Sequence, residues 1–528
     1  MGMSQTLPTT ADIVVAGGGH NGLAAAAYLA RSGYDVVVLE RQPVVGGAAI
    51  SAQAFVGHDA RLSRYSYLVS LLPERIRADL GLKIDLIRRR YSSYTPVPGT
   101  HTGLLIDAED PVRTRASFDS IGASEDYERW VEFYRDTEIL AQTLFPTMTD
   151  PLLRESEVRS LLESRAPGRK LWERFFATPI RTLVNDTFDN DIVRGVVLTD
   201  ALIGTFPDSD GEGSLGACFL YHVIGGGTGD WDVPVGGMGA VSGSLERAAR
   251  HAGARIITDA SVTAISDAPS VEFDRGDSTH HIDCRLVVSG ISRKHTQELS
   301  GLTPASTPIE GAQVKVNLLL SRLPQLADPN VRPEEAFGGT FHINESGTQL
   351  EASIAQAQSG SIPDLIPCEV YCHSLSDRSI LGEGLRETTA QTLTVFALNV
   401  PHRLIADLDP DDIRQELQDR VLHSLRSVLA EPLEDCLLKD ANDQWCVETK
   451  TTLDLEATLG LPGGNIFHEP LGWPFVSDED PLETPAERWG VDSGAPHVLL
   501  AGSSARRGGG VSAIGGHNAA MAALELLE

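Results

Sequence analysis

Apolar positions along this chain change rhythm several times, and each change marks an element or a boundary. Residues 12–16 form a short run rich in Ile and Val, the pattern of a buried strand. Residues 21–32 carry Ala and Leu at helical spacing, and Gly33 stands where a helix stops. Residues 34–39 are a second apolar strand, ending at Glu40. From Arg75 to about Tyr221 the pattern turns mostly helical, with apolar residues on one face of 126–144, 152–162 and 171–184. This stretch interrupts the strand–helix alternation and reads as an insertion.

The alternation resumes after the glycine-rich segment that begins at Tyr221. A helix is predicted over 240–251, stopped by Gly253, with strands at 255–257, 262–265, 271–273 and 286–289. Residues 314–320, VKVNLLL, alternate as a strand with one buried face. Further strands are predicted at 369–374 and 392–398, and an amphipathic helix at 411–429 behind Asp409 and Pro410. Residues 305–485 thus predict a second sheet with helices over it. The chain closes on a strand at 497–501, a loop GSSARRGGG at 502–510, and an Ala-rich helix at 511–527.

The first strand, helix and second strand enclose Gly17, Gly19 and Gly22 in the order G-x-G-x-x-G. The first glycine permits the tight turn, the second lets backbone approach a pyrophosphate, and the third lets helix pack on strand. The helix N-terminus offers unpaired N–H groups to that pyrophosphate. Glu40 falls at the end of the second strand, where a carboxylate accepts from both ribose hydroxyls and repels the 2′-phosphate of NADP. The motif in this setting predicts a bound dinucleotide. Gly225-Gly226-Gly227 lacks the strand before it and the acid after it, so no separate NAD(P)H domain is predicted.

Composition narrows the partners. The chain has 528 residues, enough for two or more domains, with 41% hydrophobic and 22% charged residues. A net charge of -30 disfavours nucleic acid and anionic lipid surfaces. The six cysteines include no C-x-x-C pair, and Cys368 with Cys372 has no matching pair for zinc, so no redox dithiol and no metal site is predicted. Buried free thiols fit a reducing cytoplasm. No apolar run reaches the roughly 20 residues of a membrane span, and the first ten residues lack a signal-peptide core. Gly2 with Thr6 fits a loose acylation pattern that chance explains.

Arg41 and the pair Gly46-Gly47 suggest a second approach of backbone to the same cofactor. Arg64, Tyr65 and Tyr67 interleave an apolar run and either line a pocket or begin a helix. His222 and Trp231 flank the glycine-rich loop, as substrate contacts or as packing.

Six segments in order carry a resemblance: the N-terminal fingerprint with ERxxxxGG, SRYSYLVSLLP, VPVGGMGAVSGSL, RLVVSG, LPGGNIFHEP and AGSSARRGGGVSAIGGHNAA. Together they resemble the phytoene-desaturase-like flavoproteins, in the branch of pyridine nucleotide-disulphide oxidoreductase domain-containing protein 2. The resemblance implies a glutathione-reductase-type, Rossmann-like FAD-binding α/β fold with an inserted α+β substrate domain. The FAD domain would be discontinuous, over 1–75, 232–304 and 486–528. Residues 76–231 and 305–485 would build the substrate domain.

FAD-binding is then implied for Gly17, Gly19, Gly22, Glu40, Arg41, Gly46 and Gly47, for Val262 by backbone contact to adenine, and for Gly502, Ser503, Gly510, Val511 and Ser512. In a flavoprotein, the last helix aimed at the N1–C2=O edge stabilises the anionic reduced flavin. Where the family writes a motif like GAGTHPGGGV, this chain has GSSARRGGGV, which adds Arg506 and Arg507 near the presumed flavin.

His468 and Trp473 lie where the family places substrate-facing residues. His468 is then a proton donor or acceptor, or a histidine bonded to backbone. The implied activity is hydride transfer to flavin N5 from a C–C or C–X position of a lipophilic small molecule, with oxygen, a quinone or another electron acceptor. Alternatives are a flavin-dependent isomerase, an oxidase or monooxygenase, and a non-catalytic lipid carrier of the GDP-dissociation-inhibitor kind.

Overall fold

The computed structural model describes residues 7–207, 212–305 and 309–528; Gly2 and Thr6 lie outside them. Three sheets organise the molecule. A five-stranded, all-parallel sheet runs in the order Val498–Leu500, Leu286–Ser289, Ile13–Ala16, Val36–Leu39, Arg255–Ile257. Its strands come from the beginning, the middle and the end of the chain. Ile13–Ala16, Val36–Leu39 and Leu286–Ser289 are buried on both faces, as a parallel sheet covered by helices requires. Helix His20–Arg31 packs on this sheet and against both Met238–Ala252 and the last helix, Ile514–Leu527. A three-stranded antiparallel sheet, Ser261–Asp283 in its span, stands beside it.

The third sheet is mixed and has seven strands, in the order Val447–Lys450, Val314–Leu320, Gln391–Ala397, Cys368–Tyr371, Thr340–Ile343, Tyr91–Pro96, Gly103–Asp107. Two of these strands fall inside the stretch expected to be helical. For the first the sequence explains the surprise: YSSYTP carries neither Ile, Val nor Leu, so it shows no apolar alternation; GLLID is an aliphatic run too short to separate strand from helix. Strand Val314–Leu320 is buried along its whole length rather than on one face. Lys315 is tolerated there because its Nζ donates to Ser63 O at 2.7 Å and Tyr65 O at 2.5 Å.

The helices beyond Arg75 include Ser124–Leu144 and Glu155–Arg165. The expected helix over 171–184 is broken into a π-helical turn, Glu173–Ala177, and a helix, Ile180–Thr187, with Pro179 at the junction. Gly225–Gly227 is a short turn closing the helix Glu212–Ile224. The last helix begins three residues later than expected, because Ala513 adopts a left-handed φ of 59° at its N-cap. Among the described residues no helix is long and apolar enough to cross a membrane.

Candidate functional site

A cavity of about 940 Å³ runs between the parallel sheet and the large mixed sheet. Its mouth is edged by main chain. Gly19 caps helix His20–Arg31 without any side-chain cap, and no acidic residue sits in the first turn. The opening N–H groups of that helix are therefore free for an anion. A Cβ placed on Gly19 would meet no atom within 4 Å, whereas one on Gly22 would lie 2.1 Å from Gly17 O. Gly22 is thus fixed by helix–strand packing, while Gly19 borders open cavity.

Glu40 also lines the cavity, 8% exposed, and accepts from the N–H groups of Gly18 and Gln42, both at 2.7 Å. These bonds hold the carboxylate at the strand end. They also explain Gly18, whose Cβ would press on Glu40 at 3.1 Å. Open space at Gly19, uncapped N–H groups and a fixed carboxylate match a dinucleotide's pyrophosphate and ribose.

The other sequence-derived candidates divide. Gly17, Arg41, Gly47, Val262, Gly502, Ser503, Gly510 and Val511 all line this cavity, as do Tyr65, His222, Trp231 and His468. Gly46 stands behind the wall, paired with Gly19 through Gly46 N–H to Gly18 O at 2.9 Å. Ser512 is buried and accepts from Ile514 N–H at 3.2 Å.

The remaining candidates lie outside the cavity lining. Arg64 is committed to an ion pair with Glu448. Trp473 packs with Phe176 and Phe475, ring centroids 5.0 and 6.0 Å away. Arg506 and Arg507 clamp carbonyl oxygens: Arg506 those of Trp473 and Phe475, Arg507 those of Thr147, Asp150 and Trp489. Arg507 therefore fastens the C-terminal loop to the helical region and Arg506 fastens it to the segment at Trp473, and neither lines the cavity. An arginine that clamps and an arginine that serves a site are identical in sequence, because only the direction of the side chain separates them.

His468 adopts a left-handed φ of 67°, uncommon for a non-glycine residue, and its buried Nδ1 has no hydrogen-bond partner. Burial lowers its pKa to about 4, with further lowering from His20 and His295. His222 is likewise lowered to about 4 by burial. Its Nδ1 donates to Cys218 O at 2.8 Å, which leaves Nε2 as an acceptor, and its ring stacks on Trp231 at 5.1 Å.

Of the far wall only Tyr67 was foreseen, in one of its two readings. The rings of Tyr67 and Tyr371 meet at 4.7 Å, and Phe396 joins Tyr67 at 5.8 Å. Around them stand Arg89, Lys315, Asp200, His342 and Glu369, all lining the cavity. Burial lifts the Asp200 pKa to about 7. Burial and then Glu345 raise that of Glu369. The available signal was a charged residue inside a fully buried strand, as in VKVNLLL, TFHI and CEVY.

Cavity and parallel sheet together define a dinucleotide-binding α/β protein. The family model for FAD-dependent oxidoreductases, DAO, matches residues 12–153. A protein of Mycobacterium tuberculosis H37Rv, uncharacterized protein Rv0897c, is 50% identical over 98% of this chain and 97% of its own length. The rat pyridine nucleotide-disulfide oxidoreductase domain-containing protein 2 is 28% identical over 96% of this chain and 92% of its own length. Among solved structures, a putrescine oxidase variant superposes with a TM-score of 0.56 at 15% identity, over 99% of each chain, a likeness of fold. The chain belongs to one family with the mycobacterial protein; it is an FAD-dependent oxidoreductase, and its cofactor is FAD.

Proposed function

We propose that this enzyme is a dehydrogenase of the phytoene-desaturase-like kind, which takes a hydride from a C–C or C–X position of a lipophilic small molecule. One observation carries the reading: a single cavity joins the glycine-edged mouth to a chamber walled by aromatic rings. In this reading residues 1–75, 232–304 and 486–528 form the FAD part, and 76–231 with 305–485 the substrate part. The N–H groups opening helix His20–Arg31 meet the pyrophosphate, Glu40 accepts from the ribose hydroxyls, and the main chain of Val262 meets adenine. Gly502, Ser503, Gly510 and Val511, leading into the last helix, meet the ring end.

When bound, FAD supplies a two-electron acceptor at N5, reoxidised by oxygen or a quinone. The chain's own work is to orient the substrate and exclude water. Tyr67, Tyr371, Phe396 and Trp231 offer apolar walls. His222 accepts a hydrogen bond at Nε2. His468, neutral at ordinary pH, takes up a proton at Nδ1. Six free thiols, five of them buried, suit a reducing compartment such as the cytoplasm.

The test is anaerobic mixing of the FAD-loaded protein with polyenes, fatty acyl compounds and cyclic ketones, following flavin bleaching. A lipophilic compound should bleach it, and His468→Asn should keep flavin yet slow the bleaching. Silence across the panel would overturn the reading.

A further inference from the structure

The far wall of the cavity carries more hydrogen-bond acceptors than the protein fills. Ligand-capable atoms of His342, Glu345 and Glu369 lie within 4.8 Å of one another, and Asp200 faces the same space. Glu345 is fully buried, and its Oε2 accepts from His342 Nδ1 at 2.6 Å while its Oε1 has no donor. With Nδ1 turned to Glu345, neutral His342 presents Nε2 as a lone pair toward the cavity. Burial lowers its pKa, but Glu345, Glu369 and Asp200 outweigh burial and raise it, so the ring is itself a source of positive charge that a bound cation would displace as a proton. Glu369 receives only hydroxyl donors, Thr199 Oγ1 at 3.3 Å and the Tyr371 phenol. The Asp200 carboxylate has no hydrogen bond among the described residues.

Among the described residues, no Lys or Arg comes within 4.0 Å of Asp200, Glu345 or Glu369, and the only ion pair there is His342–Glu345. Buried carboxylates elsewhere are treated differently. Asp107 has Arg90 at 2.9 Å, Glu335 has Arg113 at 2.9 Å, and Asp136 is gripped by Arg169 and Arg174. Two cations do stand nearby, and Arg89 acts on Asp200 and Glu369 through its charge, but the hydrogen bonds that both cations make go elsewhere. Arg89 donates to Trp231 O at 3.0 Å and Thr340 Oγ1 at 3.2 Å, and Lys315 to the carbonyls of Ser63 and Tyr65. Acids with open lone pairs and no Lys or Arg in contact, Glu345 and Glu369 buried and Asp200 partly so, are costly unless a nearby group supplies positive charge.

We propose that this wall is a cation-binding subsite, in which Asp200, Glu369 and His342 Nε2 clasp a cation while Glu345 orients the imidazole. The cation is the ammonium group of a substrate, whose N–H donors match the three acceptors, or a divalent metal ion suited to one nitrogen and several carboxylate ligands. The inference rests on the reading of the cavity as the substrate site, whose aromatic chamber would hold the apolar remainder of the molecule.

The test uses three isosteres that cannot be oxidised at the substituted carbon: tert-butylammonium, tert-butanol and pivalate. Calorimetry on the FAD-loaded protein should show the ammonium binding about tenfold or more tighter than the alcohol, with pivalate weakest. Asp200→Asn with Glu369→Gln should erase that order while flavin content stays unchanged. Elemental analysis of the holoprotein, and titration with Mn²⁺ and Zn²⁺, reads the other source. A stoichiometric metal lost in His342→Asn assigns the site to the ion. Equal binding of the three isosteres without metal, or preference for pivalate, overturns the proposal. Flavin bleaching is read separately: bleaching with no cation preference removes the subsite alone, and cation preference with no bleaching removes the dehydrogenase reading alone.

Discussion

The two ends of the cavity are made of different material. At the mouth, the groups that matter are backbone N–H groups and a carboxylate held by backbone, all within the segment from Gly17 to Gln42. At the far wall they are side chains delivered by strands and turns remote in sequence; Thr199 and Glu369, hydrogen-bonded there, are 170 positions apart. The mouth is therefore generic, as the proposed seat of an unchanging cofactor requires. The far wall is adjustable one residue at a time, as the proposed substrate site requires. A fold can keep the first and rewrite the second.

The sharpest way to break this contrast is at the second and third glycines. Gly19→Val fills cavity and no protein atom, so it should leave a folded chain with essentially no flavin, read by flavin absorbance together with the melting temperature. Gly22→Val forces a methyl-bearing carbon toward Gly17 O and should cost stability, about 3 kcal/mol or more, in denaturant titration. If both variants lost flavin and stability alike, the division between cofactor space and packing space would be wrong.

A smaller effect is expected at Glu40. Glu40→Gln keeps the shape but weakens the bonds to Gly18 N–H and the ribose, so FAD affinity should fall about tenfold to a hundredfold in a fluorescence titration. Glu369→Gln, at the other end, should leave that affinity unchanged.

Acidity tests the two ends together. His20, His222 and His468 are each lowered from 6.5 to about 4 by burial, so the folded state keeps them neutral while the unfolded chain protonates near 6.5. Their contribution is fully present above about 6.5 and is lost as pH falls toward about 4. Asp200 and Glu369, raised by burial, shift stability the opposite way over the same window, so the effect is read as a difference: on acidification the melting temperature should fall more in the wild type than in His468→Asn, and parallel profiles would contradict the burial of that ring. The smallest effect belongs to Arg64, which one of its two sequence readings put in a pocket. Arg64→Met should cost about 1–2 kcal/mol, because Glu448 is left half-solvated, with ligand affinity unchanged.

What could be read in advance follows from range. Strand Ile13–Ala16, helix His20–Arg31, strand Val36–Leu39 and Glu40 were legible because apolar periodicity and glycine geometry are local properties, and so is the anion site they create. The helix Pro410–Arg426 announced itself in the same way. Strands Tyr91–Pro96 and Thr340–Ile343 did not, since a strand poor in aliphatic residues declares itself only by its neighbours. Side-chain direction was equally hidden. Arg64, Trp473, Arg506 and Arg507 turned away from the cavity, and Arg89, Asp200, His342 and Glu369 turned into it. The sequence by itself determined the glycine-edged loop and the place of Glu40, because backbone geometry needs only the order of residues. The tertiary structure alone decided the charged and aromatic wall, because charge and hydrogen bonding between distant segments exist only once the sheets have brought them together.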